Sequence, residues 1–319
     1  MLDDNLPTIL EVVEQVKESA ERLIELDASA VVTLQPAAVC LIASAARTVR
    51  DSGKVFQIRQ LNEHLQPLLL RLDPAIQITG APRAALSDPK PGEDATVARV
   101  VITAGDANAA VNELANYIAR FIPKEDEEEM VQDQYGLLIH HAIQPALAHV
   151  LSELVDNVFS HAATAQFPNP HAYIAVQSYP TGDLLRVAVV DDGCGLQASL
   201  RALDEDPPRS HFEAASRAFQ PFTSSKSGRS MYAERRHMGL GLPVCREICR
   251  QLGGRMYAAT GNAWVRNPGM GPQEDRTTTP FFQGTAISLE LYRRGVTNRL
   301  LQDVLAKFSG PADLRLRFT

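Results

Sequence analysis

The sequence predicts an α/β protein of two domains. Segments whose apolar residues recur with helical period alternate along the chain with short β-branched runs. The 319 residues exceed one typical domain of about 100–200. A composition of 45% hydrophobic and 22% charged residues is ordinary for a soluble globular chain.

Residues 9–26 alternate apolar and polar positions with helical period, and the ELDASAVVTL that follows has the β-branched content of a strand. Next come a helix over 36–51 closed by Ser52 and Gly53, a strand KVFQIR, and a helix NEHLQPLLLRLD with Asn62 as N-cap. These elements make a small α/β domain over residues 1–80. GAPRAALSDPKPGEDAT, 80–96, concentrates Pro, Gly and charge and opens a linker region, 81–130, which holds a strand ARVVITA, a helix over 108–121 and a solvated acidic run KEDEEE. A second domain spans 131–295. It starts with a helical pattern over 135–161, broken near Pro145, and continues with strand YIAVQSY, turn PTGD, strand LLRVAVVDD and a loop. A helix over 210–219, an irregular basic segment, a helix over 242–252, a Gly253-Gly254 turn, strand RMYAAT and strand GTAISLELY complete it. The insertion NAWVRNPGMGPQEDRTTTPFFQ, 262–283, carries the single tryptophan, Trp264, and is expected to be a surface loop; residues 296–319 form a C-terminal tail helix.

A formal net charge of −7 argues against a whole-protein footprint for nucleic acid or an anionic membrane. The longest strongly apolar run, PAAVCLIASAA, is about half of a bilayer span. The N-terminus is acidic and lacks the order of a signal peptide, so a cytoplasmic location is expected. Cys40, Cys194, Cys245 and Cys249 lack CxxC pairing and read as free thiols rather than a metal site.

The stretch LSELVDNVFSHA, 151–162, is the first sign of chemistry. At about 100° per residue, Asn157 lies about 40° round the helix from Glu153 and His161 a further step of the same size, with Asp156 beside them. Leu151, Leu154, Val155 and Val158 fill the opposite side. Downstream, VVDDGCGL ends a strand in Asp191 and Asp192, with Gly193 and Gly195 at D-x-G-x-G spacing. A strand-end carboxylate accepts a hydrogen bond from an exocyclic amine, and glycines let a base or a phosphate approach the backbone. FQPFTSSKSG supplies Phe219, Phe222 and the cation Lys226. MGLGLP places Gly239, Leu240, Gly241 and Leu242 where a helix begins, and the free amides of a helix N-terminus favour an anion such as a triphosphate. QGTAISLEL sets Gly284 and Thr285 at the start of the last strand.

This ordered set of boxes, over about residues 135–292, is similar to the ATP-binding domain of the GHKL superfamily: sensor histidine kinases, anti-sigma-factor kinases, gyrase, MutL and the heat-shock chaperone ATPases. FQPFTSSK followed by GLGLPVCREICRQLGG resembles the histidine-kinase branch. The element order over residues 20–75 resembles a STAS domain, although VVTLQPAAV carries Gln35 and Pro36 where that family often has a phosphorylatable serine. The resemblance implies a Bergerat-type α/β sandwich with helices on one face of a mixed sheet, and ATP with Mg²⁺ as cofactors. It implies that Asn157 holds Mg²⁺, that Glu153 orients or deprotonates the attacking group, and that Asp156 supports the metal's waters while His161 meets a phosphate. It further implies that Asp191 reads the adenine amine with Gly193 and Gly195 shaping the pocket. Lys226 and the GLGL amides would serve the phosphates, and Thr285 would support the base through Asp191.

Two departures stand out: His237-Met238 replaces the glycine-threonine pair before GLGL, and SGRSMYAERRHM makes a longer, more basic lid. His140 and His141 lie 13 and 12 residues before Glu153, roughly 20 Å away on one continuous helix, which argues against phosphotransfer to them within one chain. Three readings follow. The first is a cytosolic signalling kinase acting on a separate protein partner, recruited or restrained by the STAS-like domain. The second is an ATP-dependent conformational switch with slow hydrolysis. The third, a DNA-repair or topoisomerase ATPase, is disfavoured because 27 residues after 292 leave no room for a transducer domain. A homodimer is left open.

Overall fold

The computed structural model describes residues 6–82, 95–121, 139–179, 184–201, 207–221, 223, 239–292 and 299–308. The N-terminal module comprises α1 (Leu6–Glu18), β1 (Leu23–Asp27), α2 (Pro36–Asp51), β2 (Val55–Arg59), α3 (Gln66–Leu72) and β3 (Gln77–Thr79). Its strands lie in the order β1-β2-β3 and both pairs are parallel. Parallel neighbours need crossovers, which α2 and α3 provide. Helix α2 has the bounds expected for it. Pro36 opens it where a missing N–H is harmless, and Gly53 reverses the chain at φ 77°.

Three expectations fail here. The first helix stops at Glu18 rather than 26, and β1 stops at Asp27, leaving 28–34 outside the strand. The Asp27 carboxylate accepts a hydrogen bond from Ser29 N–H (2.9 Å), a turn that ends pairing despite the β-branched residues beyond it. Asn62 is not an N-cap. Its carbonyl accepts from Leu65 N–H in a preceding turn, and α3 begins at Gln66 with Pro67 in its first turn.

The larger module contains β4 (Ala95–Val101), α4 (Ala104–Phe121), α5 (Ile139–Asn157), a π-helical turn (Val158–Ala162), β5 (Ala172–Tyr179), β6 (Leu184–Asp191), α6 (Gly195–Arg201), α7 (His211–Ala218), α8 (Gly241–Gln251), β7 (Arg255–Arg266), β8 (Asp275–Tyr292) and α9 (Leu300–Phe308). Helix α5 runs through Pro145 rather than breaking there, while Ala146, Leu147, Val150, Leu151, Leu154 and Val155 form a buried stripe. No helix among the described residues is long and apolar enough to cross a membrane.

The strand order is β4-β5-β6-β8-β7, and all four pairings are antiparallel, so the expected mixed sheet is corrected. Strands β6 and β7 do run in the same direction across their helical connection, but β8 lies between them. The region anticipated as a linker is also corrected. β4 pairs with β5 from Ala95↔Ser178 to Val101↔Ala172, and α4 packs on α5 and β4, so both belong to this sheet and its helical layer. The insertion over 262–283 is a β-ribbon rather than a loop. β7 and β8 remain paired to Arg266↔Asp275, past register shifts around Gly261, and Trp264 stacks on Tyr257 with ring centroids 5.6 Å apart.

Alternation along the strands sends side chains to two cores. Ile174, Val176, Val187, Val189 and Leu289 face α4–α9, the helical layer expected on one side. Tyr173, Ala175, Ala188, Val190, Tyr257, Ala259, Phe282 and Ala286 face the opposite way and join Leu10, Val39, Ala43 and Ala46 of the N-terminal module. That face is therefore covered as well. Five of its strand residues, counting Ala98 of β4, are alanines, and those of β5 and β6 let α2 approach closely. Helix α1 crosses β8, where half-buried Lys17 lies 5.0 Å from the Phe282 ring centroid and the Glu14 carboxylate accepts from Phe281 N–H at 3.0 Å. Enlarging this contact should strain it. Ala188→Leu is expected to lower stability by about 1–3 kcal/mol through overpacking against α2, read as a shifted urea midpoint with an unchanged slope.

Candidate functional site

The polar side of α5 faces a cavity of about 790 Å³ between that helix, the sheet and the N-terminus of α8. Most of the residues expected to act together do line it: Glu153, Asp156, Asn157, His161, Asp191, Gly195, Gly239, Leu240, Gly241, Leu242 and Thr285. Gly193 is not part of the wall but supports it from behind. Lys226 lies outside the described residues, as do Phe222, Arg235, Arg236 and His237, so the lid is not described. Phe219 is buried in the core. His140 and His141 fall in the first turn of α5, and their side chains also lie outside the described residues.

The last turn of the α5 segment is π-helical, not the continuous α-helix that the 100° spacing assumes. The wider turn moves His161 off the α-helical register yet keeps it in the cavity wall. It is docked by the loop after β6. Cys194 N–H donates to Ala162 O (2.9 Å), and the Cys194 thiol donates to His161 O (3.4 Å). Gly193 lies so close that a Cβ there would stand 2.5 Å from Ala162 Cβ, which only glycine avoids.

The two aspartates ending β6 go to opposite sides. Asp191 is 5% exposed and faces the cavity; its Oδ1 accepts from Gly193 N–H (2.9 Å), and Thr285 donates to it from both backbone and hydroxyl. Burial still pushes its pKa from 3.8 up to about 7 against those donors. Asp192 accepts from His171 N–H (2.7 Å) and pairs with His171 Nδ1 (3.0 Å), with Tyr173 OH at 3.4 Å.

Glu153 is likewise raised, from 4.5 to about 7, first by burial and then by the neighbouring Asp156 carboxylate. The amide nitrogen of Asn157 is buried with no hydrogen-bond partner among the described residues. A half-turn of this amide exchanges its nitrogen and oxygen, so the orphaned position offers either a donor to an anion or an acceptor to a hard cation. The first amides of α8 open on the same space. A Cβ at Gly241 would overlap Glu153 Oε2 and force that carboxylate to shift. Buried acceptors at one end, an unmet amide in the middle and a helix N-terminus suit a ligand with an amine-bearing base, a cation and phosphates.

Several participants escaped sequence reasoning. Thr260 Oγ1 donates to Gly284 O (3.1 Å) and accepts from Leu196 N–H (3.0 Å), tying β7, β8 and α6 together. Gln283 Nε2 donates to Gly193 O (2.7 Å). His149, one turn before Glu153, also lines the cavity, with Asn108 of α4 and Phe308 of α9. Only His149 had a readable signal, its i, i−4 spacing from Glu153.

The raised carboxylates set a pH dependence. A folded pKa above the unfolded value gives stability that is full below the unfolded pKa and lost as pH rises through about 7. Glu153→Gln removes its share. The nucleotide-free thermal midpoint of the variant should therefore fall less between pH 5 and pH 8 than that of the wild type, a difference that calorimetry at the two pH values checks.

No curated protein matches the chain. Residues 142–295 match the family described as "Histidine kinase-, DNA gyrase B-, and HSP90-like ATPase", which makes this segment similar to the GHKL superfamily.

Proposed function

We propose that this protein binds ATP with Mg²⁺ in the α5–α8 cavity and acts as a cytosolic signalling kinase, of the histidine-kinase or anti-sigma type, on a separate protein. The observation that carries the reading is convergence. Glu153, Asn157, Asp191, Thr285 and the N-terminus of α8 come from well-separated parts of the chain and line one cavity.

Each group has a task that its surroundings suit. Asp191 takes the adenine amine, and the donors already on its carboxylate hold it in place. Asn157 serves a Mg²⁺ ion, which takes few protein ligands and fills its shell with water and phosphate oxygens. The bound cation supplies charge neutralisation on the phosphates. Glu153, poised near neutrality, takes a proton from the attacking group. The amides of α8 and the basic lid bearing Lys226 meet the phosphate charge. The STAS-like N-terminal module, held against the back of the same sheet, recruits or restrains the partner.

Asn157→Ala is expected to weaken Mg²⁺-dependent ATP binding by about 10–100-fold, measured by calorimetry with and without Mg²⁺. Retention of both affinity and metal dependence would remove the site assignment. With γ-labelled ATP, label on a second polypeptide that requires Asn157 supports the kinase. Free phosphate with no labelled protein points instead to an ATP-driven switch.

A further inference from the structure

We propose that His149 is the positioning residue for the Glu153 carboxylate, a role that rests on reading Glu153 as the base of the ATP site. Both side chains rise from α5 one helical turn apart, with His149 Nε2 3.9 Å from Glu153 Oε1. They are 25% and 32% exposed and line the same end of the cavity. Nε2 is itself buried and makes no hydrogen bond among the described residues. A buried imidazole nitrogen without a partner carries a desolvation cost that a hydrogen bond would relieve.

The opposite side of the same carboxylate is also shaped. Oε2 lies against Gly241, where any Cβ would collide with it. The carboxylate is thus set between the first residue of α8 on one oxygen and an imidazole on the other. Asp156 acts on Glu153 from the same helix, and the Cys245 thiol interacts with it electrostatically from α8. The parts of α4 and α9 that reach this cavity contribute Ala104, Asn108, Leu305 and Phe308, none of them charged. His149 is the cavity-lining imidazole that can donate to Oε1 from this side, through its Nε2–H tautomer.

At 3.9 Å the pair is about 1 Å longer than a hydrogen bond. Such contacts are often long in the unliganded state and tighten when substrates fill the site. Drawing Oε1 toward His149 fixes the direction of the lone pair that Glu153 turns toward the attacking group. Misplacement on that scale lowers turnover without touching the adenine or phosphate contacts.

The full-length chain is assayed for ADP formation from Mg²⁺-ATP, with ATP affinity measured separately, for wild type, His149→Leu, His149→Gln, Glu153→Gln and the double variant His149→Leu with Glu153→Gln. Gln carries an N–H near the place of Nε2 and serves as both rescue and folding control. The expected result is a kcat lowered about 10–100-fold by His149→Leu, with KM and ATP affinity within about twofold, and recovery to within about threefold of wild type in His149→Gln. Because His149 acts through Glu153, His149→Leu adds no further loss on the Glu153→Gln background. If Glu153→Gln abolishes turnover but His149→Leu leaves kcat unchanged, the proposal is overturned and the base reading stands. A loss that Gln does not rescue, or that persists on the Glu153→Gln background, also overturns it. If Glu153→Gln leaves kcat unchanged, the base reading falls and the proposal falls with it.

Discussion

The site is organised around one buried carboxylate. Asp191 ends the central strand β6 with almost no access to water, and an isolated carboxylate in such a place is strongly unfavourable. Its surroundings answer that constraint. Gly193 N–H and Thr285 supply donors, Gly284 leaves room where a Cβ would strike the Asp191 carbonyl, and Thr260 and Gln283 fasten the backbones of Gly284 and Gly193. The loop that follows then docks on the π-helical turn through Cys194, which sets the end of α5 and the cavity wall that carries His161. A single burial thus links three strands and two helices.

Asp191 and Glu153 are both pushed toward neutrality by burial, but they sit in different company. Asp191 has protein donors in place, whereas Glu153 has a carboxylate neighbour, a crowding glycine and an imidazole beyond hydrogen-bond reach. The first arrangement suits recognition with little movement. The second suits a group that changes its proton during work. One cavity therefore holds two raised carboxylates in unlike surroundings along its length.

Much of the site was legible because its parts are local. Glycines required by positive φ or close approach, as at Gly239 and Gly193, and carboxylates at the ends of regular elements leave marks in a few adjacent letters. The bounds of α2 were readable for the same reason, with proline at one end and Ser52-Gly53 at the other. Non-local features were not. The insertion of β8 between β6 and β7 turns an anticipated mixed sheet antiparallel, and no window of sequence contains that pairing. Linker-like composition around 80–96 concealed that β4 closes the sheet edge. The ribbon beyond Thr260 looked like a loop because glycines and prolines at its tip and bulge dominate its pattern. Thr260 and Gln283 act through backbone groups of distant residues, which composition does not reveal.

The cover on the back of the sheet changes what counts as the unit of inheritance. The segment 142–295 contains most of the cavity wall but omits the edge strand β4, and α1 and α2 pack on the strands that carry Tyr173 and Phe282. Those rings and the alanine floor between them are shaped for a close-fitting neighbour, not for water. A change in α2 meets strands whose other face builds the cavity, so the packing of residues 142–295 depends on the N-terminal module as well as on its own core.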